Sequence, residues 1–374
     1  MGIDFIDLKA QQRRIKSEID AGIAKVLAEG RYIMGPEVKE FEANLANFGQ
    51  AKHALGCANG TDALILPMLA WGIGPGDAVF CPSFTYCATA EIVAHVGATP
   101  VFVDINRDTY NMDAASLEQA IEAIKAEGKL TPRAVIAVDL FGQSADYATI
   151  SPIVKAHGLK LVADSAQGFG TTLNGKHPLH WADVATTSFF PAKPLGCYGD
   201  GGAVLTDDSE TADAMNSLRV HGKGVDKYDN IRVGMNSRLD TLQAAILLPK
   251  LAIFADEIAS RNLVAKRYID GLTGKATRVP TVLNGVISTW AQFTIEVPDH
   301  AAFSTALKEK GIPTARYYPK PVHMQTAYAN FPVAPKGLPN TMDCIENIVS
   351  LPMHPYLDET TQDMIIETAK AALG

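Results

Sequence analysis

The sequence predicts an α/β fold: a mostly parallel central sheet followed by a smaller α+β C-terminal unit. Three observations predict it. Short apolar runs alternate with longer helical stretches from residue 52 onward. The chemically distinctive residues fall directly after the apolar runs. Beyond a long helical stretch at 238–269 the alternation stops. Strands alternating with helices form right-handed crossover units, which build a parallel sheet covered on both faces.

In chain order, residues 11–28 carry Ile15, Ile19, Ile23, Val26 and Leu27 at helical spacing and end at Gly30. A second helix follows Pro36, with Val38, Phe41, Leu45 and Phe48 on one face. The strands are HALGC (53–57), AVFC (78–81), TPVFV (99–103), AVIAV (134–138) and LKLVA (159–163). Helices at 61–71, 86–96, 114–126 and 146–157 separate them. Past 238–269, TWAQFTIEV (289–297) reads as a strand and 301–310 as a helix. Irregular proline-rich sequence runs to 356, and a final helix covers 358–373. The expected division is a large α/β domain at 1–245 and a small α+β domain at 246–374.

Composition narrows the function. The 374 residues are 47% hydrophobic and 20% charged, which is ordinary globular material. The formal net charge of −8, without a Lys/Arg-rich run, argues against nucleic acid or an anionic membrane as partner. Five scattered cysteines without CxxC pairs argue against a disulfide framework and a zinc site; no metal is expected. The opening residues MGIDFIDLKAQQRRIKSEI lack the apolar segment of a signal peptide, and no run reaches membrane-span length, so a cytoplasmic protein is expected.

Four segments carry chemistry. Asp164 ends the strand in LVADSAQGFG (161–170), at the ligand edge of a parallel sheet. A lone acid there also reads as a helix cap or an ion-pair partner. Lys193 lies in a proline-flanked, glycine-rich stretch, ATTSFFPAKPLGCYGDGGAVLT (185–206), between two strands, where read alone it is equally a surface charge. CANGTDAL (57–64) runs from a strand into a helix through Gly60 and Thr61. Free N–H groups at such a helix start cradle phosphate, although a plain cap reads equally well there. SFTYCATAE (83–91) places Tyr86 at a further strand-to-helix junction, where it either covers a planar ligand or packs in the core. Together these supply a phosphate cradle, an aromatic lid, a carboxylate and an amine, the set that pyridoxal 5′-phosphate (PLP) requires.

The same segments resemble the DegT/DnrJ/EryC1/StrS sugar aminotransferases, a family within the fold-type I (aspartate aminotransferase-like) PLP-dependent transferases. The resemblance covers nearly the whole chain. Asp-x-x-Gln matches Asp164 and Gln167, Ser-x4-Lys matches Ser188 and Lys193, and Gly-x-Asn-x-Arg matches Gly234, Asn236 and Arg238. It implies that Lys193 forms the Schiff base with PLP and then moves the proton, and that Asp164 pairs with the ring nitrogen. Gln167 would meet the ring hydroxyl, and Gly60, Thr61 and Ser188 the phosphate. Tyr86 would stack on one ring face, with Ala166 beneath the other. Asn236 would reach the phosphate of a neighbouring subunit, making a homodimer with shared sites. Ser165 departs from the family's usual alanine and is expected near the ring.

Within the family the chain looks most like the branch that aminates UDP-linked 3-keto-N-acetylhexosaminuronic acids for surface polysaccharide, with glutamate as donor. The resemblance gives Arg238 as the candidate for the sugar carboxylate, or else for an interface salt bridge, and Tyr318 and His323 as substrate contacts, with a purely structural role as the alternative for His323. The alternatives are a 4-keto-6-deoxy nucleotide-sugar aminotransferase and a non-catalytic PLP-binding relative. A nicotinamide oxidoreductase lacks support, because GIGPG (72–76) has the wrong spacing and follows a helix.

Overall fold

A computed structural model describes residues 2–226 and 228–374. The chain opens with α1 (Leu8–Arg14), α2 (Lys16–Glu29) and α3 (Pro36–Phe48). The alternating region comprises β1 (His53–Cys57), α4 (Gly60–Ala70), β2 (Asp77–Pro82), α5 (Ala88–His95), β3 (Thr99–Val103), α6 (Ala114–Glu127), β4 (Thr131–Val138), α7 (Tyr147–Ala156) and β5 (Lys160–Asp164). Next come β6 (Thr172–Leu173), β7 (Val184–Ser188), β8 (Gly202–Thr206), α8 (Ser209–Leu218) and the long α9 (Thr241–Leu272). The remainder is β9 (Val286–Ile287), β10 (Phe293–Glu296), α10 (His300–Glu309), α11 (Pro339–Cys344), β11 (Ile348–Leu351) and α12 (Glu359–Leu373).

Seven strands form the central sheet in the order β1-β8-β7-β5-β4-β2-β3. Only β8 runs against its neighbours, β1 and β7; the other pairings are parallel. The expected α/β architecture is therefore present. Its strands are nearly continuous apolar runs because helices cover both faces: Val135, Ile136 and Ala137 of β4 are fully buried. Val135 and Ile136 each contribute about 1.5–3 kcal/mol on burial. β5 and β7 lie side by side in the middle, with Asp164 opposite Thr186, so Asp164 and Ser188 reach the same sheet edge.

A second core forms where Tyr268 of α9, Phe293 of β10, Phe303 of α10, Leu351 of β11 and Ile365 of α12 meet. α9 serves both cores, giving Leu247 and Phe254 to the first and Tyr268 and Leu272 to the second. We propose the division at residues 245 and 246 as the one between these two packing units, with α9 spanning it. Among the described residues no helix is long and apolar enough to cross a membrane.

Three expectations change. The helix expected over 11–28 is two helices, broken at Ile15 (φ −125°, ψ 29°), whose side chain packs with Ile19 and Ile246. The strand expected at 289–297 shortens to β10. Trp290 has a positive φ of 47°, and the amides of Thr289 and Gln292 bond the carbonyls of Gly142 and Phe141 instead. The stretch read as irregular to 356 contains α11 and β11, and β11 pairs antiparallel with β10.

Candidate functional site

A cavity of about 430 Å³ opens at the carboxyl edge of the sheet, between β5, β7 and the start of α4. At one end lies the turn into α4. Asn59 caps this helix by accepting a hydrogen bond from the amide of Asp62 at 2.8 Å, which leaves Gly60 and Thr61 in the first turn. Their amides have no partner within the helix, and the helix dipole places positive potential there. Ser188 closes the same corner. A Cβ on Gly60 would sit 2.6 Å from the Ser188 Cβ, so only glycine lets the two segments approach this closely.

Asp164 ends β5 and is 4% exposed. Its Oδ2 accepts from the Thr89 hydroxyl at 2.9 Å and its Oδ1 from the Ala166 amide at 3.2 Å. Burial raises its pKa, while these two donors and the charge of Lys193 oppose the rise. Lys193 follows β7 in a turn whose amide donates to the Phe190 carbonyl at 2.8 Å. Burial pushes the Lys193 ammonium below the ordinary lysine range, and the negative charge of Asp164 pulls it back up. The two groups therefore bias each other within one wall.

Gln167, Tyr318 and Tyr86 line the side of the cavity. Gln167 accepts from the Phe141 amide at 2.7 Å and donates to the Tyr318 hydroxyl at 2.8 Å, which leaves one N–H uncommitted. Tyr318 is held between the rings of Phe84 and Tyr86, with centroids 6.3 and 6.4 Å away. Tyr86 lies before α5 and is 56% exposed on this monomer.

The cavity thus gathers Gly60, Thr61, Tyr86, Asp164, Ala166, Gln167, Ser188, Lys193 and Tyr318. His323 is not in its wall. Its Nδ1 lies 2.6 Å from the Ser83 hydroxyl, and its amide donates to the same oxygen, which ties the 317–325 stretch to the end of β2. Asn236 and Arg238 also lie outside the lining, on the segment entering α9. Among the described residues the Arg238 guanidinium has no hydrogen-bond or ion-pair partner. Ser165 is corrected: its hydroxyl donates to buried Asp139 at 2.5 Å, because Asp139 stands at the end of neighbouring β4 and offers an acceptor. Sequence reasoning missed Thr89, whose place in the first turn of α5 is visible only as one more Thr in CATAE, and the wall residues Ile6, Gln292 and Tyr317.

PLP fits this arrangement. A glycine-dependent phosphate corner, a buried carboxylate and a buried amine share a cavity of suitable size.

Comparison with known proteins agrees. The DegT/DnrJ/EryC1/StrS aminotransferase family model matches residues 13–370. A Pseudomonas aeruginosa protein, UDP-2-acetamido-2-deoxy-3-oxo-D-glucuronate aminotransferase, is 49% identical over 365 residues, 97% of this chain and 98% of that one. The crystal structure of a DegT DnrJ EryC1 StrS aminotransferase from Brucella abortus is 51% identical with a TM-score of 0.98, covering 100% of both chains. The structure of NtdA from Bacillus subtilis with bound cofactor PMP is 29% identical with a TM-score of 0.88, covering 100% of this chain and 85% of that one.

Proposed function

Because the chain belongs to the DegT/DnrJ/EryC1/StrS aminotransferase family, we propose that it is the PLP-dependent enzyme that transfers an amino group to a UDP-linked 3-keto-N-acetylhexosaminuronic acid. Glutamate is the proposed donor, and the product is a cytoplasmic precursor of surface polysaccharide. One observation carries the chemistry: Lys193 and Asp164 share a cavity wall, each shifting the other's protonation.

When bound, PLP supplies a reactive aldehyde and a ring that draws electrons from the attached carbon. Lys193 would hold the aldehyde, Asp164 the ring nitrogen, and Gln167, through its uncommitted N–H, the ring hydroxyl. Gly60, Thr61 and Ser188 would hold the phosphate, between Tyr86 and Ala166 on the two ring faces. Burial favours the neutral Lys193 amine, the form that attacks a carbonyl and later accepts a proton at the substrate carbon. The donors Thr89 and Ala166 N–H oppose the rise that burial imposes on Asp164 and favour the charged form that would face the ring nitrogen. Both half-reactions use one site, so ping-pong kinetics are expected. The test is a visible absorbance band of the purified enzyme that bleaches on adding glutamate; a colourless protein after PLP loading would overturn the reading.

We also propose a homodimer in which Asn236 completes the phosphate site of the second subunit. The segment before α9 supports it, since Val225, Ile231 and Val233 are exposed apolar side chains there, and Asp240 at its end bridges to Ile33, a further exposed apolar residue.

Two predictions test the contacts. Gly60→Ala forces a Cβ against Ser188. Overpacking of this kind costs about 1–3 kcal/mol, so PLP affinity measured by equilibrium dialysis should fall about 5–150-fold. Arg238→Ala should reduce kcat/KM on the 3-keto uronic substrate by about 10–150-fold, the loss of one charged hydrogen-bonding partner. A 4-keto-6-deoxy sugar nucleotide, lacking the carboxylate, should show no comparable drop. Equal loss on both would remove Arg238 as the carboxylate's partner.

A further inference from the structure

We propose that Lys250, acting with Gln243, is a positioning residue that splints the segment carrying Lys193. The inference rests on the reading of Lys193 as the residue that bonds the cofactor.

The segment from Ser188 to Gly202 leaves β7, carries Lys193, and returns as β8. Its own bonds close its base: the Cys197 amide donates to the Phe189 carbonyl at 2.8 Å, and the Phe189 amide to Gly201 at 2.7 Å. Its outer half is held from outside, by α9. Gln243 and Lys250 are seven residues apart, two helical turns, and so project from one face. Gln243 accepts a hydrogen bond from the Tyr198 amide at 2.9 Å. Lys250 donates to the Gly196 carbonyl at 2.6 Å, and its ammonium lies 4.2 Å from the centre of the Tyr198 ring. Gly196 is three residues beyond Lys193 and is itself confined: a Cβ there would meet the Pro191 carbonyl at 2.5 Å. A bond to Gly196 therefore fixes the return of the lysine turn.

The chemistry of Lys250 is uneconomical for a purely structural residue. It is 1% exposed, and among the described residues it forms no salt bridge. Among the described residues one carbonyl and one ring face are its direct contacts, for an ammonium with three donors, while Cys197 and Glu257 act on it through charge alone. Burial pushes its pKa down to about 8, a measure of the strain of keeping a charge there. A methionine of similar length would fill the space at lower desolvation cost. What methionine cannot do is bond Gly196. The action on Lys193 is geometric, because Asp164 is the charge that acts on Lys193 electrostatically.

The test compares Lys250→Met, Lys250→Arg and Gln243→Leu with wild type in the full-length chain. Three readouts are used: thermal midpoint, hydrogen exchange of apo-protein peptides spanning 189–202, and the rate of borohydride-fixed PLP incorporation at Lys193. Lys250→Met should keep the midpoint at or above wild type, speed exchange in this segment at least tenfold, and slow incorporation at least tenfold. Lys250→Arg should restore most of both. Unchanged exchange and incorporation in Lys250→Met would overturn the inference. If that variant does not fold, Gln243→Leu, which removes the two bonds to the Tyr198 backbone, decides: faster exchange supports the splint and wild-type exchange overturns it. If borohydride fails to tag Lys193 even in wild type, the cofactor assignment fails, while the apo exchange data still judge the splint.

Discussion

Lys193→Ala is expected to abolish transamination, lowering turnover by about 10⁴-fold or more, the upper range for a lost proton-transfer group, with covalent attachment lost as well. The fold should survive, because Lys193 sits in a turn outside the sheet and donates through its amide, which alanine retains. PLP should still bind, held at the phosphate corner of Gly60, Thr61 and Ser188. Borohydride treatment followed by peptide mapping should label the wild-type peptide containing Lys193 and leave the variant unlabelled. Full turnover in the variant, without added amine, would refute the role of this lysine.

The second large effect belongs to Asp164→Asn. Its turnover should fall by about 10³-fold, the scale on which one preorganised electrostatic contact is lost. Asparagine keeps one oxygen for the Ala166 amide, and the Thr89 hydroxyl can turn to accept from the new NH2 group, so the local structure should hold. The sign of the accompanying pH effect follows from the two opposing influences on Lys193. Burial lowers its pKa and Asp164 raises it. Asparagine removes only the raising influence. The folded-state pKa then drops further, and the neutral amine appears at lower pH. The rate of PLP attachment, measured by absorbance across pH, should rise through a midpoint below that of wild type. A midpoint that stays put or moves upward would show that the two residues do not communicate.

Asp164 was legible in the sequence because an acid at the end of an apolar run stands out where a parallel sheet presents its ligand edge. Lys193 was legible for a related reason: flanking prolines and glycines mark a constrained turn between strands. Thr89 was not legible, since its hydroxyl matters only because α5 brings it within 2.9 Å of Asp164 from 75 residues away. Ser165 illustrates the opposite error. Its neighbours in sequence line the cavity, but strand alternation and the carboxylate at the end of β4 turn its hydroxyl toward Asp139. His323 and Tyr318 come from one short motif, yet only Tyr318 reaches the cavity; Ser83 holds the other.

The sequence by itself determined the α/β alternation, the order of the central elements, and the four segments whose residues line the cavity. These are local properties, written in the 2.0 and 3.6 residue periods and in the turn residues that interrupt them. The tertiary structure alone decided that β8 runs against the sheet, that β11 finds β10 across some fifty residues of chain, and that α9 lays Lys250 and Gln243 on the lysine segment. Each of these depends on contacts between residues far apart in the chain. Such contacts are selected by the burial and hydrogen-bond satisfaction of the whole fold, which no local window contains.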